Sequence, residues 1–368
     1  MSRKKFIITA GSVCLAILVI FIGIGVYKRM YCGINFVKNL YGGINLGNSL
    51  DVEGLCASQP DATVEDYETY WDNPVLTKEL IETVYERGFR TLRLPVSWGE
   101  HMDESGQVSR EWMARVKQVT DWALDTGLYV ILDTHHEKWL IPSPEQEIEV
   151  TEHLCSLWEQ IAGCFRNKDE RLLFEGMNEP RVVGAEEEWK GGTVETRQVV
   201  NRLNEAFVRT VRDSGGGNRN RWLLISTYGS SSEREALEDL MLPADSRLIV
   251  TVHAYIPYRF THEGDDEWKV DDLKDTEKID SMLNDLEELF LKKRIPVVIT
   301  EFGCRKKSKE EVRLTWAHYY LQQAGKRGIP CIWWDNGKEM RIIDREDYVW
   351  TEERLAGLLV SVEETAQQ

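Results

Sequence analysis

Short runs of apolar, mostly β-branched or aromatic residues recur eight times along the chain. This repetition constrains the fold more than any single motif. The runs fall at 42–46, 91–95, 129–133, 172–175, 222–226, 248–252, 297–300 and 331–334. Near-continuous apolar runs of this length suit parallel strands covered on both faces. Amphipathic stretches separate most of them. Within 110–126, Met113, Val116, Val119, Trp122 and Ala123 recur at three- and four-residue spacing, and 278–293 repeats the pattern with Ile279, Leu283, Leu286, Leu289 and Phe290. Both patterns predict helices. The connection 228–247 has the weakest helical pattern, and 261–275 reads as an acidic loop after the sixth strand. Eight β-then-α units close more naturally as a (β/α)8 barrel than as an open sheet, the alternative that pattern alone leaves.

Residues 1–29 stand apart. Arg3, Lys4 and Lys5 precede an uncharged run at 6–26, and Lys28 and Arg29 follow it. As a helix this run would be about 32 Å long, enough to cross a bilayer core. It is longer than the apolar region of a cleaved signal peptide, and no small-residue cleavage pair follows it. An uncleaved transmembrane signal anchor is therefore expected, with a cleaved signal and secretion as the alternative. The basic residues lean toward a cytoplasmic amino terminus and an extracellular domain at the cell membrane. Residues 30–40 read as a short tether and 41–362 as one barrel domain. With 62 acidic against 45 basic residues, the chain lacks the basic face that nucleic acid requires, and a monomer is expected. None of the seven cysteines forms a C-x-x-C pair, which argues against zinc and thioredoxin-like sites. Mostly free, buried thiols are expected, and Cys304–Cys331 is the first pair to check for a bond.

Polar residues gather at the carboxyl ends of the runs. Asn45 and Asn48 follow the first, Arg93 lies in the second with Trp98 just after it, and His135 and His136 follow the third. Asn178 and Glu179 end the fourth, His253 and Tyr255 the sixth, Glu301 the seventh, and Trp334, Asp335 and Asn336 the eighth. In a barrel these ends share one face, where reacting groups gather. A carboxylate at the end of a buried strand is costly unless a cleft presents it, and two such groups are the minimum for cleaving a glycosidic bond. The bland reading of Glu179 and Glu301 is a structural salt bridge each. Arg93 reads either as a structural ion pair or as the partner that holds a carboxylate ionised. Adjacent strand residues point to opposite faces, which weakens a metal pair at His135 and His136.

The motifs Gly43-Ile44-Asn45-Leu46-Gly47-Asn48-Ser49-Leu50-Asp51, Leu92-Arg93-Leu94-Pro95-Val96-Ser97-Trp98, Thr134-His135-His136, Asn178-Glu179-Pro180, His253-Ala254-Tyr255, Glu301-Phe302-Gly303 and Trp334-Asp335-Asn336 occur in this order. At these residues the chain resembles glycoside hydrolase family 5, the retaining cellulase-type enzymes. The run 174–181, with Glu188-Trp189 and Gly191-Gly192, looks most like the endo-glucanase branch. The resemblance implies that Glu179 is the general acid/base and Glu301 the nucleophile. Asn178 would bind the sugar 2-hydroxyl, and Arg93 and Tyr255 would contact the nucleophile. His135 and His253 would complete the pocket, and Trp334 would carry the sugar at the cleavage point. His136, Asn45 and Trp98 would serve neighbouring sugar sites. No metal or cofactor is implied. The implied substrate is a β-1,4-linked glucan, cellulose-like or of mixed linkage. Xyloglucan, mannan and a non-catalytic glycan-binding role are the rivals.

Retention requires one carboxyl protonated and the other ionised, with different surroundings for each. Arg93 is expected to keep Glu301 ionised, while Glu179 holds a proton. Two residues depart from the family's usual pattern: Asp133 before the histidine pair and Thr300 before Glu301. Asp133 adds negative charge and is expected to raise the pKa of the acid/base.

Overall fold

The structure, a computed structural model, describes residues 33–307 and 309–366. The expected anchor lies outside the described residues. Among those described, no helix is long and apolar enough to cross a membrane. Eight strands close into a barrel in chain order: β1 Gly43–Leu46, β2 Thr91–Leu94, β3 Tyr129–Leu132, β4 Leu172–Glu175, β5 Leu223–Ser231, β6 Leu248–His253, β7 Val297–Phe302 and β8 Cys331–Asp335. β8 returns to pair in parallel with β1, from Gly43 opposite Ile332 to Leu46 opposite Asp335. The open sheet is thereby excluded.

The two-residue period of a strand explains where the site forms. Ile131, Leu173, Leu224, Ile249, Val298 and Ile332 form one apolar layer inside the barrel. Two residues further along the same strands stand Asp133, Glu175, Ser226, Thr251, Thr300 and Trp334. The interior therefore changes from apolar to polar within one strand period, toward the carboxyl ends. Glu301 would alternate away from the interior, but the register shifts at Val252/His253 against β6 and at Ile299/Phe302 against β8. Such irregularities re-aim side chains, and here one turns Glu301 toward the barrel mouth.

The opposite end is plugged. Val37 and Leu40, in a 3-10 turn, are buried against the apolar layer. Phe36 stacks on Trp222 with ring centres 4.8 Å apart. A Cβ on Gly33 would stand 2.9 Å from Pro296 Cγ. Residues 33–40, part of the short tether expected at 30–40, therefore pack against the barrel. Their apolar side chains close the barrel floor.

The helix at Arg110–Thr126 matches its periodicity and buries Trp112, Val116, Val119 and Ala123. Ser109 caps its first turn, and Gly127 ends it at φ 110°, a conformation that costs glycine little. The helix expected at 278–293 instead spans Leu273–Leu289, capped by Asp272. The expected loop at 261–275 is tied down by ion pairs of Arg259 with Asp265 and Asp275 and by the buried Trp268, whose indole donates to the Asp275 carbonyl. Such anchors leave no periodic trace in a sequence. Along 228–247, β5 continues to Ser231 and only Arg234–Glu238 is helical. The five described cysteines are all free, Cys304 and Cys331 included.

At the floor, Arg221 is buried. It donates to the carbonyls of Phe165, Lys168, Asp169 and Leu172 and to Asn218 Oδ1, at 2.6–3.2 Å. Arg221→Ala removes these donors from buried acceptors and is expected to lower the unfolding free energy by about 3 kcal/mol or more, measured by urea denaturation. The contacts at the barrel mouth are expected to persist in that variant.

Candidate active site

Arg93 enters the polar layer from β2 and is fully buried. A guanidinium has five N–H donors and no acceptor, and five partners surround this one. Nε donates to Glu175 Oε2 at 2.6 Å. Nη1 donates to Glu301 Oε1 at 2.6 Å and to Asn45 Oδ1 at 3.0 Å. Nη2 meets Asn178 Oδ1 at 2.7 Å and Asp133 Oδ2 at 2.8 Å. Because arginine only donates, both asparagines must turn their oxygens toward it. Asn178 therefore keeps its Nδ2 for something else.

Glu301 is gripped from a second side by Tyr255, whose hydroxyl donates to Oε2 at 2.8 Å. Glu179 lies four residues beyond the end of β4, in a loop. Its Oε1 is 2.8 Å from His253 Nδ1, and its Oε2 is 3.3 Å from Arg181 Nη1. His253 Nδ1 is also 3.5 Å from Glu301 Oε2. One oxygen of Glu179, one of Glu301 and a ring nitrogen of His253 all lie within 4.8 Å of one another.

The electrostatics differ from expectation. Burial pushes the Glu301 carboxyl up, against the pull of His253 and Arg93, because Arg93 divides its charge among Glu301, Glu175 and Asp133. Burial also pushes Glu179 up, but His253 and Arg181 outweigh it and hold this carboxyl well below the usual range. Burial works to lower His253, yet Glu301 and Glu179 together raise it. With both carboxylates facing it, His253 Nδ1 is placed to share a proton with Glu179. Asp133 does not act on Glu179 as expected. It is spent on Arg93, on the Val96 amide and on His135 Nδ1, each at 2.8 Å, and burial lifts it to about 6.

His135 stacks parallel to Trp334 with ring centres 5.7 Å apart. A Cβ on Gly47 would stand 2.5 Å from the Trp334 ring, so only glycine lets the indole lie across the end of β1. His136 packs its ring edge-on against His135 and Trp71. Both histidines lie beyond β3, so strand alternation does not part them as expected. Two expected sugar contacts are corrected. Asn45 is fully buried, and its Nδ2 donates to the carbonyls of Thr300 and Trp333. Trp98 is also fully buried, and its indole donates to the Asp133 carbonyl. Neither has surface for a sugar, and both brace the layer beneath.

Four residues escaped the sequence reading. Glu175 is a buried Arg93 partner that also accepts from Thr251 and Thr300, which explains the Thr300 departure. Its signal was a charge at the end of an apolar strand, the same signal that marked Arg93. Arg181, beside Glu179, and Trp71, beside His136, carried no local signal. Thr251 looked like ordinary strand.

Among the described residues, two clusters hold metal-ligand types: Asp51 with His135 and His136, and Glu179 with His253 and Glu301. In the first, Asp51 already accepts from the Asn48 and Ser49 amides, and His135 Nδ1 is spent on Asp133. In the second, Arg93, Arg181 and Tyr255 already meet the carboxylates. Several ligand atoms of both clusters are thus already engaged by the chain's own groups.

The profile of the family described as Cellulase (glycosyl hydrolase family 5) matches residues 55–340. Endoglucanase A of Ruminococcus albus is 41% identical over 319 residues, 83% of this chain and 85% of that protein. Among solved structures, a GH5-4 broad specificity endoglucanase from Clostridium longisporum superposes with a TM-score of 0.86 at 36% identity, over 91% of this chain and 99% of that one. A xyloglucan-specific endo-β-1,4-glucanase of GH5 from a metagenomic library, in complex with cellotriose, gives 0.85 at 37% identity, over 90% and 99%.

The His253 ring is expected to titrate above the ordinary histidine value. Glu179→Gln, which removes one of the two carboxylates facing Nδ1, is expected to lower that value. An NMR pH titration of the ring reads both; an unchanged value in the variant would show that Glu179 does not hold the proton there.

Proposed function

The chain belongs to glycosyl hydrolase family 5, the cellulase family, and from that premise we propose a retaining endo-β-1,4-glucanase acting on cellulose-like or mixed-linkage glucans. The observation that carries the mechanism is the approach of the Glu179 and Glu301 oxygens to within 4.8 Å. Retaining pairs stand roughly 5–5.5 Å apart, whereas inverting pairs need about 6.5–9.5 Å to admit a water.

In the first step a Glu301 oxygen bonds to the anomeric carbon while the bond to the leaving oxygen breaks. That oxygen takes a proton from Glu179, which receives it from the adjacent His253 as substrate displaces water. In the second step water attacks the anomeric carbon, its proton passes to Glu179, and the Glu301 ester is released. Tyr255 and Arg93 hold Glu301 in line. Asn178 turns its Nδ2 to the sugar 2-hydroxyl, since Arg93 takes its Oδ1. Trp334, flanked by His135, offers the sugar an apolar face, and His136 with Trp71 extends that wall. A monomeric enzyme belongs with this proposal.

The reading of residues 6–26 as a membrane anchor belongs with this proposal. Residues 33–40 enter at the barrel floor, so an anchored enzyme would turn its mouth away from the membrane toward extracellular polysaccharide. Xyloglucan remains the second substrate reading, favoured by the similarity to a xyloglucan-specific enzyme.

Glu301→Gln is expected to abolish release of reducing ends from barley β-glucan while cellotetraose binding, read by calorimetry, survives. Unchanged hydrolysis in the variant would sink the proposal. A panel of carboxymethyl-cellulose, β-glucan, xyloglucan and mannan tests the substrate, with the first two expected to be cleaved fastest.

A further inference from the structure

Glu179 has a guanidinium of its own, separate from Arg93. Arg181 Nη1 donates to the Glu179 carbonyl at 3.1 Å and lies 3.3 Å from its Oε2. Its Nε donates to Glu188 Oε1 at 3.0 Å, and its guanidinium carbon stands 4.4 Å from the Trp189 ring centre. The other Glu188 oxygen takes the Gly184 amide at 2.7 Å. The Tyr228 hydroxyl accepts from the Val182 amide, and the Gly229 amide donates to the Pro180 carbonyl. The loop after β4 is thus wound around one arginine, shared between the carboxylates of Glu179 and Glu188, which are buried to a similar extent.

The other ionisable groups acting on Glu179 come from several elements. His253 on β6 touches it, and His135, His136, Glu301, Tyr255 and His262 lie within electrostatic reach. Arg181 is the guanidinium among the groups that touch it. The two reaction steps make opposite demands on Glu179, a proton donor in the first and a proton acceptor in the second.

We propose that Arg181 is a positioning residue that orients Glu179 and favours its ionised form, and that Glu188 tempers this by drawing on the same guanidinium. The proposal rests on the assignment of Glu179 as acid/base. Trp189, 61% exposed, packs its ring against the same guanidinium.

The sign of the effect separates this role from a merely structural one. Removing Arg181 favours the protonated form of the Glu179–His253 pair, so the alkaline limb of the kcat/KM profile, which reports loss of the proton these two groups share, moves to higher pH. Removing the Glu188 charge leaves Arg181 to Glu179 alone and moves the limb to lower pH. An opposite charge at this distance shifts a carboxyl by on the order of one pH unit, and partial exposure reduces that.

The test is the pH profile of methylumbelliferyl cellotrioside hydrolysis by the full chain and by Arg181→Gln, Arg181→Lys and Glu188→Gln. The limb is expected to rise in R181Q, return toward the parent in R181K and fall in E188Q. Limbs that stay in place, or that move the same way in R181Q and E188Q, overturn the proposal. If R181Q does not fold, E188Q decides by the same criterion, since its shift has the opposite sign. Glu179→Ala separates the levels. If that variant keeps the alkaline limb, the acid/base assignment itself fails. If it loses the limb while R181Q and E188Q leave theirs unmoved, only the role of Arg181 is wrong.

Discussion

The barrel mouth depends on the burial of Arg93. Three carboxyl groups and two amide oxygens converge on its five N–H donors. A buried charge is tolerable only when paired and fully hydrogen-bonded, and Arg93 meets that condition by drawing one residue from each of β1, β4 and β7 and two from loops that follow β3 and β4. The same bonds orient Glu301 and fix which way Asn178 turns. Barrel geometry and site geometry are therefore one network, and no member can be replaced without leaving another unpaired.

One cation among three carboxyl groups cannot fully satisfy any of them. This explains why burial prevails at Glu301 and lifts it, and why the two glutamates together raise His253. Glu179 is served by other partners, His253 and Arg181, nearer the surface. The two carboxyls thus have unequal surroundings, as acid/base work requires. The directions, however, run opposite to the simple picture in which Glu179 is lifted and Glu301 lowered. His253 stands one hydrogen bond from Glu179, placed to pass it a proton once substrate enters.

Much of this was legible in the sequence. The eight apolar runs marked the strands, and the charges and aromatics at their carboxyl ends marked the mouth. Arg93, Glu179, Glu301, His253 and Tyr255 all lie there, linked through contacts to Glu301 and His253. What was not legible depended on three-dimensional detail. Asn45 and Trp98 sit at strand ends, but alternation and packing turn them into the interior. Glu301 faces the mouth because the register slips beside it, which no two-residue pattern announces. Arg181 and Glu188 meet through the path of a loop, and Arg259 with Asp275 orders a segment that has no periodicity.

The claim that Glu301, gripped by Arg93 and Tyr255, is the attacking group is tested most directly by trapping. A 2-deoxy-2-fluoro cellobioside with a dinitrophenyl leaving group slows the second step more than the first and lets the glycosyl ester accumulate. Intact mass followed by peptide mapping is expected to show one added cellobiosyl unit on the peptide that carries Glu301. A label on Glu179 or Glu175, or no label with release of the inverted anomer, would contradict it.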